Sequence, residues 1–409
     1  MSNLILKNKQ DNKPTRNDFT GSQSHLVSGS RLYRTIRCWV LSNKFLLTIY
    51  VASHALFLLI AVVNAFLQHS HLSSELSNWD GVWYIRLASR GYPKHPLHYQ
   101  TTLGFLPFYS MLMWLVARLM AGNLLIAGLV INFIGGLIST ILLDKLVTGW
   151  TDKNISRRAV VLYCFFPGAI IFSMVYSEGI LIPLIMGALL LVQKRKYLLA
   201  GILGFFATAT APDALAIIPV FFVAFLYELK KEPKQTRREK RALGAIAISL
   251  AGISLFGIAL WIWTGTPLAA YNAQHYGWKE STTPLALYDQ GKILAGEFSF
   301  KHFNYHNINL NYIVALAGAL YLLIFLYHLV KPKLIISLPA FIWTLGISFL
   351  SLTSTRTPPN PRLLITAFPL VIVAAYKFSK RAFNIYLAVS IVLLIVMSSI
   401  TFVGIALRP

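Results

Sequence analysis

The sequence is dominated by long apolar runs that recur from residue 45 to the C-terminus. A helical run of about 18 residues or more is long enough to cross the hydrocarbon core of a bilayer. Only 12% of the 409 residues are charged, about half the fraction found in soluble domains, and the mean hydropathy is +0.61. The sequence therefore predicts an all-α integral membrane protein.

Eleven segments are predicted to span the membrane. They are residues 45–66, 123–143, 158–177, 179–193, 197–211, 213–228, 243–263, 311–330, 334–352, 363–377 and 384–406. The first of them is too long for a typical cleaved signal peptide and is interpreted as a signal anchor. A twelfth apolar stretch, 103–120, contains Pro107, several aromatic residues and Arg118, which favours a helix lying in the membrane interface.

The distribution of basic residues indicates the topology. If 103–120 lies in the interface, 27 of the 37 Lys and Arg residues fall on one side of the membrane. If it crossed, the later basic loops would face outward, against the positive-inside rule. We therefore predict a multi-pass protein of the inner (plasma) membrane with a cytoplasmic N-terminus and an outer C-terminus. This topology and contact with anionic lipids account for the net charge of +23, and nucleic-acid binding is disfavoured.

Residues 1–43 are polar and basic and predict a disordered cytoplasmic tail, whereas 44–409 form a polytopic transmembrane domain. This domain has two large outer loops, 67–122, which includes the interfacial helix, and 264–310. A third outer loop, 353–362, is short. Because functional residues concentrate on loops held by a rigid scaffold, we expect the chemistry on the outer side.

Acidic residues are the main candidates for acid–base chemistry, and the chain contains only 14. Asp80 lies in the run NWDGVWY, where Trp79, Trp83 and Tyr84 offer flat apolar faces suited to stacking on a sugar ring. An exposed acid within an aromatic interface belt is the alternative interpretation.

Four further charged residues lie at the outer ends of predicted spans. Glu178 begins a span, where it either favours the helix dipole or orders a site. Asp213 follows Pro212 at a helix break and is either a cap or a functional intramembrane acid. Arg356 and Arg362 flank a Pro-rich outer loop, where they suit phosphate recognition or snorkel to lipid headgroups.

Two pairs of histidines have spacings that a metal ion could use, His69 with His71 and His302 with His306. No thiolate accompanies them and few carboxylates lie nearby in sequence, so solvated loop histidines are favoured. Neither a metal site nor another cofactor is predicted. The two cysteines, one before the first span and one inside a span, are interpreted as small hydrophobic residues.

Five short motifs occur in an order that resembles the PIG-V family, the GPI mannosyltransferases that add the second mannose, and their bacterial relatives. The first is NWDGVWY at 78–84 followed by RGYP at 90–93. The others are FLPFY at 105–109, FP to FSMVYSE between 166 and 178, GTPLA to AQ and W between 265 and 278, and PRLL to FP between 361 and 369. The resemblance extends from about residue 45 to the C-terminus.

This resemblance implies a GT-C glycosyltransferase that uses a polyprenyl-phosphate sugar on the outer face. We expect inverting, metal-independent transfer of a hexose, mannose in this family, to a hydroxyl of a glycan, lipid or protein. Asp80 would be the catalytic carboxylate that deprotonates or orients this hydroxyl. Arg362, with Arg356 or Lys279, would stabilise the leaving phosphate.

The same resemblance implies a substrate-binding surface around Asp80. Trp79, Trp83 and Tyr84 would form its platform and Glu178 would support it. Gln274 and Trp278 would close it from the second outer loop, and Asp213 is counted among the substrate-binding residues. Four positions depart from the family pattern, and they are Ala211, Asp213, Thr266 and Leu363.

Two other classes of protein remain open from the sequence alone. A multi-spanning lipid or sugar transporter or flippase fits the number of spans and the broken helix at Pro212, although no inverted repeat is visible. A non-catalytic subunit of an envelope-assembly complex would tolerate Asp80→Asn, whereas an enzyme would not.

Overall fold

The computed structural model describes residues 37–94, 99–231, 236–297 and 310–402. Within these ranges the regular elements are helices, and Thr282 and Ser354 form an isolated antiparallel β-bridge. The all-α prediction is confirmed. The chain divides into two compact units, Met1–Leu47 and Thr48–Pro409. Most of the predicted cytoplasmic tail, up to residue 36, lies outside the described residues.

The helices are named in chain order. They are α1 (Lys44–Leu67), α2 (Leu72–Leu76), α3 (Asp80–Arg90), α4 (Pro107–Ala117), α5 (Leu124–Trp150), α6 (Lys153–Cys164), α7 (Glu178–Gln193), α8 (Tyr197–Thr208), α9 (Ile217–Lys231), α10 (Thr236–Thr264), α11 (Ala269–Asn272), α12 (Ala286–Glu297), α13 (Leu310–Val330), α14 (Leu338–Thr353), α15 (Pro361–Thr366), α16 (Val371–Lys377) and α17 (Lys380–Phe402). Turns of 3₁₀ helix lie at Thr102–Gly104, Pro167–Phe172, Pro212–Ala216 and Phe368–Leu370, and a π turn lies at Ala273–Gly277.

Six helices in the described part of the chain are long and apolar enough to cross a membrane. They are Lys44–Leu67, Leu124–Trp150, Pro212–Lys230, Arg238–Thr264, Leu310–Val330 and Lys380–Phe402. Further apolar helices are shorter, and α4 has only 11 residues. At a rise of 1.5 Å per residue, α4 covers about 16 Å, roughly half of the hydrocarbon core. This length suits the predicted interfacial helix, whose placement relative to a membrane stays a prediction.

The prediction of one continuous span over 158–177 is wrong. Helix α6 ends at Cys164, Phe166 is extended with φ −71° and ψ 143°, and Pro167 starts a 3₁₀ turn. The reason is local, because proline pushes the residue before it out of the helical region. The predicted span 363–377 is also interrupted, since α15 and α16 are separated by the turn Phe368–Leu370.

The helix break predicted at Pro212 is present. Helix α8 ends at Thr208, Ala211 is extended with φ −150° and ψ 147°, and Pro212 occupies the first position of the next turn. Proline is tolerated there because the first helical turn leaves its N–H groups without intrahelical partners.

The turn Pro167–Phe172 lies at the centre of the helices that carry the site. All six of its residues are buried, and it packs against α5, α7, α15 and α17. A Cβ on Gly168 would lie 2.0 Å from the carbonyl oxygen of Pro361, and a Cβ on Gly135 would lie 1.8 Å from that of Gly179. These two glycines therefore allow the backbones to approach closely and bring the starts of α7 and α15 to the same core.

Asn132, a buried residue of α5, fixes the chain between the central turn and α7. Its Nδ2 atom lies 2.6 Å from the carbonyl oxygen of Met174, 2.8 Å from that of Tyr176 and 3.1 Å from that of Ile171. Its Oδ1 atom accepts a hydrogen bond from Tyr109 Oη at 2.9 Å. A buried polar side chain that is satisfied in this way specifies one backbone path, because every alternative leaves polar groups unpaired.

Candidate active site

Arg362 joins two carboxylates that are far apart in the sequence. Its Nη1 atom donates a hydrogen bond to Asp80 Oδ2 at 2.5 Å. Its Nε atom lies 3.3 Å from Glu178 Oε1, close enough for an ion pair but without the alignment of a hydrogen bond. Three residues that were predicted separately therefore form one charged cluster, which we call the Arg362 cluster.

Arg362 is positioned by the start of α15. The side chain of Asn360 accepts a hydrogen bond from the backbone N–H of Leu363 at 3.0 Å, and Pro361 occupies the first helical position. Both residue types are favoured at these positions of a helix. The guanidinium carbon also lies 5.5 Å from the ring centroid of Tyr176, so the cation packs beside an aromatic face.

Asp80 is the first residue of α3 and follows a strained residue. Trp79 has φ +61°, a conformation that costs a non-glycine residue on the order of 1–3 kcal/mol. Contacts with the end of α17 hold it there, since Trp79 Nε1 donates to the carbonyl oxygen of Thr401 at 3.2 Å and Asn78 Nδ2 donates to that of Phe402 at 3.4 Å. The side chain of Asp80 is 30% exposed beside Arg362.

Glu178 is buried at the first position of α7, and Ser177 and Tyr84 pack next to it. Tyr84 Oη donates to Ser177 Oγ at 2.8 Å, and Ser177 Oγ lies 3.4 Å from Glu178 Oε2. Tyr84 is itself buried, with its ring edge-on to those of Phe105 and Tyr109. The structure thus places Tyr84 beneath the charged cluster, and its predicted contact with substrate stays a prediction.

The charge of Arg362 is secured by its neighbours. Burial alone disfavours the charged guanidinium, but the carboxylates of Glu178 and Asp80 outweigh this effect and raise the pKa of Arg362 well above its ordinary value. The side chain is only 13% exposed. Arg362 is therefore a fixed cation in a site of low water content, where it interacts strongly with an anion.

Asp213 lies within electrostatic reach of the cluster. It interacts with the charges of Arg362 and Glu280, and it acts in turn on Glu178. Its position follows from the extended Ala211 and from Pro212, which begin the 3₁₀ turn. The structure thus brings Asp213 towards the same site as Asp80, Glu178 and Arg362.

Trp83 and Trp278, one from each predicted outer loop, pack against each other and against Phe105. The rings of Trp83 and Trp278 meet edge to face at 5.0 Å, and Phe105 lies 6.2 Å from Trp83 and 5.4 Å from Trp278. The guanidinium of Arg86 lies 4.5 Å above the Trp83 ring.

Gln274 and Trp278 join the second predicted outer loop to the first. Gln274 Nε2 donates to the carbonyl oxygen of Gly104 at 2.8 Å, and Trp278 Nε1 donates to that of Thr101 at 3.2 Å. Both side chains therefore hold loops together, and their predicted role in closing over substrate is untested by these contacts.

Arg356 lies apart from the cluster, in a pocket that it lines with Gln290, Asn311 and Asn360. Arg356 is exposed, whereas Asn360 is buried. Lys279 is exposed and has φ +55°. The predicted contact of these two cations with a phosphate stays a prediction.

Sequence reasoning missed Glu280 as part of the site. Its Oε1 accepts from Ser354 Oγ at 2.9 Å and its Oε2 from Thr357 Oγ1 at 3.3 Å, which ties the second outer loop to the loop that carries Arg362. In the sequence, Glu280 is distinguished only as one of the few acidic residues in the predicted outer loops. Asn132 was also missed, although an amide inside a long apolar run is a usable signal because it is costly there.

No group of three or more His, Cys, Asp or Glu residues within the described ranges is arranged to hold a metal ion. His302 and His306 lie outside these ranges.

The fold is similar to that of ArnT from Cupriavidus metallidurans bound to undecaprenyl phosphate, with a TM-score of 0.50 and 12% identity. The match covers 81% of this chain and 61% of ArnT. The oligosaccharyltransferase of Archaeoglobus fulgidus tethered with an acceptor peptide has a TM-score of 0.47 and 13% identity, over 88% of this chain and 56% of the oligosaccharyltransferase. The chain thus spans about six-tenths of the length of these proteins. No curated protein matches the sequence.

The described helices thus share their fold with ArnT. The sequence model of the mannosyltransferase (PIG-V) family matches residues 59–344. The chain belongs to this family, which confirms the resemblance carried by the five motifs.

Proposed function

We propose that this protein transfers a hexose, mannose by family, from a polyprenyl-phosphate sugar to an acceptor hydroxyl, with inversion and without a metal ion. The reaction takes place on the outer face of the plasma membrane, with the N-terminal tail in the cytoplasm and the C-terminus outside. The observation that carries the proposal is the hydrogen bond from Arg362 to the partly exposed Asp80, with Glu178 buried behind the arginine.

Asp80 is suited to act on the acceptor. Its Oδ2 atom is engaged by Arg362, whereas its Oδ1 atom makes no hydrogen bond within the described part of the chain. In the proposed step, this carboxylate takes the proton of the acceptor hydroxyl as the oxygen bonds to the anomeric carbon. The bond between that carbon and the phosphate oxygen breaks, its electron pair stays on the oxygen, and polyprenyl phosphate leaves. Attack opposite to the leaving group inverts the anomeric centre.

Arg362 is suited to stabilise the leaving phosphate. A guanidinium carries five N–H donors, and Asp80 takes one of them while Glu178 faces another. The remaining donors are sufficient for bidentate contact with a phosphate. The fixed charge of Arg362 therefore supplies the stabilisation that a metal ion supplies in other phosphate chemistry.

The other predicted residues have supporting roles in this proposal. Trp79, Trp83 and Trp278 line the space for the sugar and the acceptor. Tyr84 and Gln274 hold these aromatic residues in place. Asp213 adds a negative charge within electrostatic reach of Arg362, and Arg356 contacts substrate from the neighbouring pocket. The bound undecaprenyl phosphate of ArnT supports a lipid-phosphate donor, because the two proteins share their fold.

The donor is tested with radiolabelled sugars in membranes that contain the protein. Polyprenyl-phosphate mannose, glucose and galactose are offered beside GDP-mannose, and label is followed into glycan, lipid and protein fractions. We expect transfer from a polyprenyl-phosphate sugar, unchanged by EDTA, and α- and β-specific glycosidases then report the anomer of the product.

Two results would overturn the proposal. One is transfer directly from GDP-mannose in washed membranes in which polyprenyl-phosphate mannose is not used. The other is a product with the same anomeric configuration as the donor, since a single displacement inverts it.

A further inference from the structure

A pocket lies beside the helix that carries Arg362, and among the residues that line it only Arg356 has a role in the proposed function. It is formed by α12, the start of α13 and the loop before α15. We call it the Gln290 pocket, and its polar lining consists of Gln290, Asn311, Tyr312, Thr355, Arg356 and Asn360. Asn360 also caps α15, so the pocket and the Arg362 cluster share one short segment of chain.

Gln290 is the unusual member of this lining. Gln290 is buried, with only 4% of the residue's surface exposed. Neither its Nε2 nor its Oε1 atom has a hydrogen-bond partner in the part of the chain that the structure describes. Buried amides in native proteins almost always have partners, since an unpaired one destabilises the folded state. An unpaired amide in a residue that lines a pocket therefore indicates a ligand or water that supplies both a donor and an acceptor.

The two unpaired atoms of the Gln290 amide limit which chemical groups can bind them. The Oε1 atom needs a donor, and a phosphodiester or an ionised phosphate ester offers only acceptors. A sugar hydroxyl both donates and accepts, so two neighbouring hydroxyls match the two ends of the amide. Tyr312 and Arg356 add a ring and a cation, and Pro358 adds an apolar surface, as expected where a sugar ring is held.

We propose that the Gln290 pocket binds the hydroxyl groups of a sugar ring that belongs to one of the two substrates. The inference rests on the proposed function, since it assigns a second sugar subsite to the same transferase. The ring is either the sugar being transferred or a sugar of the acceptor, and both offer the same hydroxyl chemistry.

The pocket is tested by direct binding to the full-length protein in a sugar-free zwitterionic detergent. The probes are methyl α-mannoside, methyl α-glucoside and methyl α-galactoside, followed by saturation-transfer NMR, and undecaprenyl phosphate is measured separately. We expect Gln290→Leu to weaken binding of the preferred glycoside about tenfold, the size of effect for one or two lost hydrogen bonds. Undecaprenyl phosphate binding is expected to stay within about twofold of the wild type.

Gln193→Leu is the matched control, because Gln193 is exposed on α7 and its side chain bonds only Ser337 within the described residues. Gln290→Leu removes an unpaired amide, so its thermal unfolding midpoint should equal or exceed that of the wild type. Equal glycoside binding by wild type and Gln290→Leu, or parallel loss of glycoside and undecaprenyl phosphate, contradicts the inference. So does a wild-type protein that binds undecaprenyl phosphate but no glycoside.

The transfer assay separates this inference from the proposed function. If wild type transfers sugar from a polyprenyl phosphate and Gln290→Leu has unchanged KM for donor and acceptor, only the Gln290 pocket is misassigned. If wild type shows no such transfer, the proposed function itself fails. A raised KM for the donor alone identifies the transferred sugar as the occupant, and a raised KM for the acceptor alone identifies the acceptor sugar.

Discussion

Arg362 donates a hydrogen bond to Asp80 across 282 residues of sequence, at an Nη1–Oδ2 distance of 2.5 Å. The pair links the first outer loop to the start of α15, and Glu178 at the start of α7 completes it. Four parts of the fold must therefore be in place before the site exists, namely α3, the central turn, α7 and α15.

Arg362→Lys tests whether the fork of the guanidinium is required. A lysine keeps the charge but has a single nitrogen, so it cannot hold Asp80 and a phosphate in a planar bidentate arrangement. We expect kcat to fall at least about 100-fold, as for the loss of an oxyanion-stabilising donor. Arg118→Lys is the control, since Arg118 is exposed and lies 3.8 Å over the Trp114 ring. Near-normal kcat for Arg362→Lys would show that a point charge is sufficient.

Glu178→Gln removes one of the two negative charges at Arg362 without changing the side-chain volume. Because breaking a buried ion pair leaves an uncompensated charge, we expect a loss of about 3 kcal/mol in stability and a lower kcat. Thermal unfolding in detergent and the transfer assay report the two effects.

Glu228→Gln provides a comparison on another part of the chain. Glu228 is also buried, and its Oε1 lies 3.3 Å from Arg195 Nε and accepts a hydrogen bond from Tyr197. We expect the Glu228→Gln variant to be less stable than the wild type, while its folded fraction keeps the wild-type kcat. An equal loss of kcat in both variants would mean that Glu178 is only a structural residue.

The individual site residues could be predicted from the sequence, but their contact could not. Asp80 lies between two tryptophans in a motif, and Arg362 belongs to a predicted outer loop, where it opposes the general distribution of basic residues. Their meeting depends on how closely α15 approaches the central turn, which is set by Gly168 and Pro361. Glycine in an apolar run is compatible with many roles, so its contact partner is not readable from the pattern.

The errors of the sequence analysis also have physical causes. The high mean hydropathy of 158–177 predicts a single membrane-spanning helix. Pro167 instead forces Phe166 into an extended conformation, which interrupts the helix. The positive φ of Trp79 has no local sequence cause, because contacts with Thr401 near the other end of the chain hold it. Gln290 belongs to no motif, and only its burial and its unpaired amide distinguish it.

Gly168→Ala tests the close approach that positions Arg362. The added Cβ would lie 2.0 Å from the carbonyl oxygen of Pro361, so α15 must shift. We expect a stability loss of about 1–3 kcal/mol, typical of overpacking, and a lower kcat with little change in donor KM. Gly149→Ala is the control, because nothing lies within 4 Å of the added atom. Unchanged activity in a stably folded Gly168→Ala protein would contradict this role of the glycine.

Asn132→Ala tests the positioning of the chain that leads into α7. The substitution leaves the carbonyl oxygens of Ile171, Met174 and Tyr176 without their amide partner, at an expected cost of about 1–3 kcal/mol. Because the backbone at Tyr176 and Glu178 is then no longer held in one conformation, we expect kcat to fall by a larger factor than the KM for the donor rises.

Ser139→Ala on the same helix is the control, since Ser139 is buried and its hydroxyl donates to the carbonyl of Gly135 in its own helix. If Asn132→Ala and Ser139→Ala lose stability and activity in the same proportion, Asn132 has no specific positioning role.

The most direct test of the central claim is a single-turnover transfer assay with Asp80→Asn, using membranes that contain equal amounts of wild type and variant and the donor that supports wild-type transfer. Asparagine keeps the shape of the side chain but cannot take a proton from the acceptor hydroxyl. Asp289→Asn, an exposed position of the second outer loop, is the matched control. The proposed mechanism predicts that Asp80→Asn slows transfer at least about 100-fold while Asp289→Asn is unchanged, as expected for a general base. Transfer by Asp80→Asn at the wild-type rate would contradict it and would remove Asp80 from the chemical step.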